Sequence, residues 1–239
     1  ATNITTVTLN LGVSSALTAS GPLGTGVGGT TVSSGASLDL NGFSLTGTYT
    51  EALSLNGTGV GALGALTNSS PTTSTYIGVI TFATAASIVG ETGLIAITGT
   101  PVSGTTAITI GGSKGGSISK VIAGARTLTK EGSGTWTLSG ANTYSGATNI
   151  NAGTLSVNSN RNVSGGGSSL GAPTTTANGT INMGATGILL YTGTGHSSNR
   201  VISLSASGGT IDASGSGTLT LSGGVTGNAF GLVLKGSGN

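Results

Sequence analysis

Apolar residues in this chain fall at alternate positions in short runs, and nearly every run stops at glycine, serine or asparagine. Alternation with a period of two predicts strands with one buried face. The 3.6-residue apolar period of a helix is not sustained anywhere. The pattern predicts strands at residues 5–11, 30–32 and 37–40. Leu38 and Leu40 share one face, and Phe43 and Leu45 share another beyond a tight Asn41-Gly42 turn. Short apolar pairs separated by glycine follow over 53–66, then a polar loop, Thr67 to Thr75, that contains Pro71. Residues 76–98 are the most apolar stretch and predict three strands, with Ala83 to Ala86 reading as a helical turn too short to stand alone.

Pro101 is expected in a turn, followed by strands at 107–110 and 117–122. The strongest organisation lies in Leu128 to Leu155. There Thr135 to Leu138 forms a strand, Ser139-Gly140 turns, Thr148 to Ile150 forms a second strand, Asn151 to Gly153 turns, and Thr154 to Val157 begins a third. Residues 158–172 are glycine-rich and predict a bulging turn. Strands follow within 179–191 and at 201–205, 209–213 and 217–222.

Strand-and-turn units recurring about every 20 residues are the signature of a solenoid. A single coil cannot bury its own apolar face, but stacked coils can. Val, Ile, Leu and Ala then point inward, Thr and Ser point outward, and Gly and Asn take the corners, where asparagines can also stack as ladders. A β-sandwich would suit the same strand lengths. Against it stands the self-similarity of Gly134 to Leu138, Gly153 to Val157 and Gly217 to Leu221. The expectation is all-β: an elongated parallel β-solenoid spanning 1–239 as one unit. Leu234 to Gly238 echoes the Thr129 to Gly134 stretch that precedes the tryptophan strand, which suggests a further repeat and a piece of a longer protein.

Composition sharpens this picture. The 239 residues include 47 glycines, only 5% are charged, and the formal net charge is +2. Glycine has no strict three-residue period, which excludes collagen. Recurrent strand formers argue against disorder. Lys114, Lys120, Arg126 and Lys130 are too sparse, and too poor in aromatic neighbours, for a nucleic-acid surface. There is no cysteine, and no apolar run reaches the length of a helical membrane span.

Leu128 to Leu155 closely resembles the passenger-associated β-strand repeat of bacterial autotransporters. That repeat runs from a lysine and paired glycines through a tryptophan strand and an Asn-x-Tyr-x-Gly corner to a Gly-Thr-Leu strand. Lys130, Gly132, Gly134, Trp136, Leu138, Asn142, Tyr144, Gly146, Ile150, Gly153 and Leu155 stand where the repeat places them. The resemblance implies a right-handed parallel β-helix outside the cell, of the kind that serves as an adhesin, an aggregation factor or a stalk. The repeat is architectural and transfers no catalytic, cofactor or metal residue.

The remaining chemistry is thin. Trp136 is expected to pack on the coil or against Tyr144, with sugar stacking as the functional alternative. His196 lies beside Ser197 and Ser198, but the only aspartates, Asp39 and Asp212, are not obviously placed to complete a triad. Lys130 and Glu131 point to opposite sides of a strand, each able to pair with a neighbouring coil. The Asn-x-Ser/Thr sequons at Asn3, Asn56, Asn68, Asn162 and Asn178 are expected by chance in so Ser- and Thr-rich a chain. Two functions fit. One is a structural fibre, sheath or stalk built by end-to-end stacking of like coils. The other is an adhesive module for a cell surface or glycan, with Thr67 to Thr75 and Gly193 to Arg200 as candidate projecting loops. Neither calls for an enzyme, a cofactor or a nucleic-acid partner.

Overall fold

The computed structural model describes residues 1–15, 20–25, 28–48, 50–99, 102–205, 208–227 and 231–237. Pro101 and Gly238 lie outside the described residues. Among the described residues nineteen strands form one sheet, and every pairing in it is parallel. The chain winds so that each strand hydrogen-bonds to its equivalents one coil before and one coil after, which is a parallel β-helix. Three columns of strands stack along it. The first begins Thr2–Ile4, Thr30–Val32, Leu53–Gly57. The second runs through Ile108–Gly111, Leu128–Lys130 and the start of Thr148–Val157. The third runs through Gly115–Ile118, Thr135–Leu138 and the end of Thr148–Val157.

Register explains the repeat length. Ile108 lies over Leu128 and Leu128 over Thr148, a step of 20 residues. Where Asn149 meets Asn182 the step widens to 33 residues, because residues 158–180 leave the coil and return. The excursion ends in a single helical turn, Thr176–Gly179, capped by the Thr175 side chain. An antiparallel pair, Ser20–Gly21 with Gly24–Thr25, is another departure from the coil.

Inward positions form continuous apolar columns. In the third, Trp136, Leu155, Leu189 and Ile211 sit one above the other, all buried. Parallel stacking sets equivalent residues about 4.8 Å apart, so each side chain packs on its counterpart in the next coil. The structure therefore bears out the all-β solenoid and leaves no second packed sheet of the kind a sandwich requires.

Several local expectations shift. Ala83 to Ala86 is not helical. It lies within one strand, Ile80–Gly90, that bends between columns with a register shift between Phe82 and Ala86. Thr148 to Val157 is likewise a single strand, and the expected Asn151–Gly153 turn survives as a bulge with Gly153 at φ +64°. Asn41 and Gly42 both have positive φ, but they turn a coil corner rather than a hairpin. The sequence echo near the end does not carry into placement. Leu232–Lys235 pairs with the third column, opposite Gly209 to Asp212, whereas Lys130 belongs to the second.

Gly153 shows how tightly coils approach. A Cβ there would lie 2.4 Å from the Gly132 carbonyl oxygen and 2.7 Å from that of Gly134. At Gly35, φ is also positive (+81°), but nothing lies within 4 Å. Left-handed backbone alone costs a non-glycine residue about 1–2 kcal/mol. Gly35→Ala is thus expected to lose about 1 kcal/mol in urea denaturation, and Gly153→Ala about 2–3 kcal/mol, because the neighbouring coil must also move. Equal losses would show that coil-to-coil contact is looser than described.

Candidate functional site

The residues of the repeat signature face the interior. Trp136 is fully buried in the strand Thr135–Leu138, and its indole N–H donates to the Gly111 carbonyl at 2.8 Å. That placement removes it from sugar stacking, and its partner is a backbone carbonyl rather than Tyr144. Tyr144 is also fully buried, with its hydroxyl 2.8 Å from Thr148 Oγ1, and burial raises its pKa to about 12. Asn142 bridges coils at a corner: its Oδ1 accepts from the Ile122 amide at 2.8 Å and its Nδ2 donates to the Ser169 carbonyl at 2.7 Å. Leu138, Ile150 and Leu155 fill the core between them. Gly132, Gly134, Gly146 and Gly153 let adjacent backbones approach, since a Cβ at any of them would come within 2.8 Å of a neighbouring backbone atom.

Lys130 is the least expected of these. Its side chain is buried, and Nζ donates to the carbonyls of Glu131, Gly132 and Ala152 at 2.7, 2.8 and 2.9 Å. Three donors meet three backbone acceptors at the bend of the coil. Glu131, on the opposite side, accepts from Asn151 Nδ2 at 2.6 Å. Both residues thus reach a neighbouring coil, but through amide groups rather than an opposite charge. Arg200 repeats the device, donating to the carbonyls of Arg161, Leu170 and Gly171 and pinning the 158–180 excursion to the coil. Arg126 differs. It is buried with its guanidinium 5.8 Å from the centre of the Phe82 ring, and its side-chain nitrogens have no hydrogen-bond partner.

The two stretches expected to project are fastened to the coil at their ends, although Ser69 and Pro71 to Thr73 are exposed. Thr67 and Asn68 are buried, and Asn68 ties its corner by donating to the Thr72 and Leu94 carbonyls and accepting from the Gly42 amide. Burial also removes Asn68 as a glycosylation acceptor. Gly193 to Arg200 contains a strand, Thr194–Ser198, paired with Gly217–Leu221. His196 is engaged by Tyr191, with Nδ1 2.8 Å from the phenol oxygen. Ser198 Oγ meets Asn160 and Arg161, and Asp212 accepts from Ser214. Among the described residues no three His, Asp or Glu side chains are grouped to hold a metal ion.

The outward faces are hydroxyl and amide ladders. Thr109, Thr129, Asn149, Asn182 and Ser203 succeed one another along the second column. Asn182 Nδ2 donates to Asn149 Oδ1 at 2.8 Å, so the asparagine ladder forms on a strand face rather than at the corners. The loop 58–64, built around the turn Val60–Ala62, covers part of this face. The Ser37 hydroxyl clamps it, accepting from the Val60 amide at 2.8 Å and donating to the Gly64 carbonyl at 2.7 Å. Beside and beneath it lies a cleft of about 470 Å³ that reaches Glu91 and Glu131, and a second, of about 550 Å³, that shares Glu91. Neither the clamp nor the cleft was legible in the sequence, where Thr58 to Gly64 reads as a bland glycine-rich run.

Residues 128–157 match the family described as passenger-associated-transport-repeat. Over 117 residues, 48% of its length, the chain is 39% identical to a protein named adhesin BmaC autotransporter from Brucella suis biovar 1 (strain 1330). It spans about 3% of the length of that relative. No solved structure matches the chain.

Burial lowers the Lys130 pKa from the ordinary 10.5 to about 8, with Glu131 offsetting part of the effect. Between those values the unfolded chain binds the proton and the folded chain has released it. Stability is therefore expected to rise with pH from about 8 to 10.5. Denaturation midpoints across that window measure this, and Lys130→Met should abolish the slope. At pH 7 the same variant should lose about 2–4 kcal/mol, because three carbonyls lose a charged donor.

Proposed function

We propose that this chain, which carries a passenger-associated-transport-repeat, is a length of rod from an exported surface protein. Within that protein its coils continue into further coils of the same kind and act as a stalk or fibre element. The repeat family and the adhesin-named relative support an exported, passenger-type role and favour a non-enzymatic one. The observation that carries the structural reading is the interior location of the repeat signature. From Lys130 to Leu155 its side chains build and fasten coils and offer no ligand an exposed group.

An adhesive role is the second reading, favoured by the name of the relative. The two are separable in native material. Surface extracts traced with an antibody to this chain should contain rods or filaments, with an axial repeat of about 4.8 Å in fibre diffraction. Compact particles, or antigen confined to the cell interior, would overturn the rod proposal.

A further inference from the structure

The cleft beside the 58–64 loop is built differently from the rest of the rod. On a parallel β-helix an outward strand position normally faces solvent, yet Ser87 and Val89 point outward and are 4% and 7% exposed. Gly64 packs on Val89, and the Ser37 clamp holds the loop above them. The enclosed Ser87 hydroxyl has no hydrogen-bond partner, although it lines the cleft. Buried hydroxyls are satisfied in nearly all folded proteins, so an orphan beside a cavity leaves room for a partner from outside the fold. The cleft's volume, about 470 Å³, falls within the usual range for small-ligand sites.

The lining defines the chemistry. Thr109 contributes a hydroxyl, and Val89 an apolar patch. Two carboxylates complete it. Glu131 has one oxygen held by Asn151 and the other open, and no side chain among the described residues donates to the Glu91 carboxylate. Acceptors of this kind suit a ligand that presents many hydroxyl donors, and the apolar patch suits its C–H faces. A uronic acid would be disfavoured, since two carboxylates already line the cleft and only Glu131 has a cation beside it, Lys130, whose ammonium is turned inward to backbone carbonyls. The adjoining depression of about 550 Å³ shares Glu91, so a ligand longer than one ring can continue along the rod.

We infer that this cleft binds a neutral oligosaccharide, with the Ser87 hydroxyl, Glu91 and Glu131 receiving or meeting its hydroxyl groups. The inference rests on the adhesive reading of the surface rod.

The test uses the purified chain on an immobilised array of neutral and uronic-acid hexasaccharides, followed by calorimetry on any that bind. A neutral hexasaccharide is expected to bind, and the uronic-acid series is not. Thr109→Arg, which fills the cleft from a strand face without touching the core, should abolish binding. Ser87→Ala should weaken it about tenfold without lowering the melting temperature, because the lost hydroxyl has no partner in the fold. Silence across the neutral series, preference for uronic acids, or binding indifferent to both variants would overturn the inference. Attachment of cells displaying the parent protein to a surface coated with the bound sugar separates the two claims. Attachment that survives Thr109→Arg leaves the adhesive reading standing and removes the cleft. Binding in solution without surface display leaves the cleft standing and removes the reading.

Discussion

The parallel hydrogen-bond ladder between successive coils is the constraint from which the rest of this protein follows. Each strand's backbone donors and acceptors are met only by the strand one coil away, so no coil is complete alone. Equivalent positions are thereby forced into columns about 4.8 Å apart. Inward, this demands side chains that stack on their own kind, as Trp136, Leu155, Leu189 and Ile211 do. Outward, it explains why only 5% of residues are charged. Like charges repeated along a column would stand within about 5 Å of one another, at a cost of roughly 1 kcal/mol per pair even in water. Threonine, serine and asparagine stack without that repulsion, and asparagine adds a side-chain bond between coils.

The corners meet the same constraint from the other side. Where the chain turns between columns, the protein supplies buried cations to meet backbone carbonyls. Lys130 serves one corner and Arg200 another, each facing backbone oxygens rather than a carboxylate. An ion pair would bring a second desolvated charge into the core. Carbonyls that must be satisfied in any case are the more economical counterpart. Asp39 does the converse for amides, accepting from the backbone N–H groups of Asn41 and Ser69. Arg126 has no such acceptor and lies over Phe82, so it is the interior cation least well accounted for by coil geometry.

This division decides what the sequence could disclose. Features set by local alternation were legible: Thr30–Val32, Thr135–Leu138 and Gly209–Ala213 stand where the pattern puts them. The signature residues were legible as a motif, but their inward orientation and their carbonyl partners depend on contacts some 20 or more residues away. Ala83 to Ala86 misled because local helix preference lost to pairing with two neighbouring coils. Thr67 to Thr75 and Gly193 to Arg200 looked like free loops because polar residues usually read as solvent-facing. Here Asn68 and Arg200 are polar because they must reach stranded backbone groups inside the coil. Lys235 shows the limit of motif matching, since the same tetrad of residue types falls in another column once register is fixed.

The same logic bears on where a rod of this kind could meet a ligand. A ladder of identical small polar groups presents no enclosed volume, and a ligand lying on it would displace water from one side only. Selectivity needs an interruption, and solenoids place their interruptions as insertions between strands on one face. In this protein the 158–180 excursion is fastened inward by Arg200, and the Ser20–Thr25 pair makes only a short hairpin. The 58–64 loop lies across an outward strand face and is clamped there by the Ser37 hydroxyl. Covering Ser87 without satisfying it would be a poor solution for a pure stalk, since an alanine at that position would fold as well or better. Retaining a hydroxyl under a loop, beside a cleft that two glutamates also line, is the arrangement expected of a rod that also recognises something along its flank.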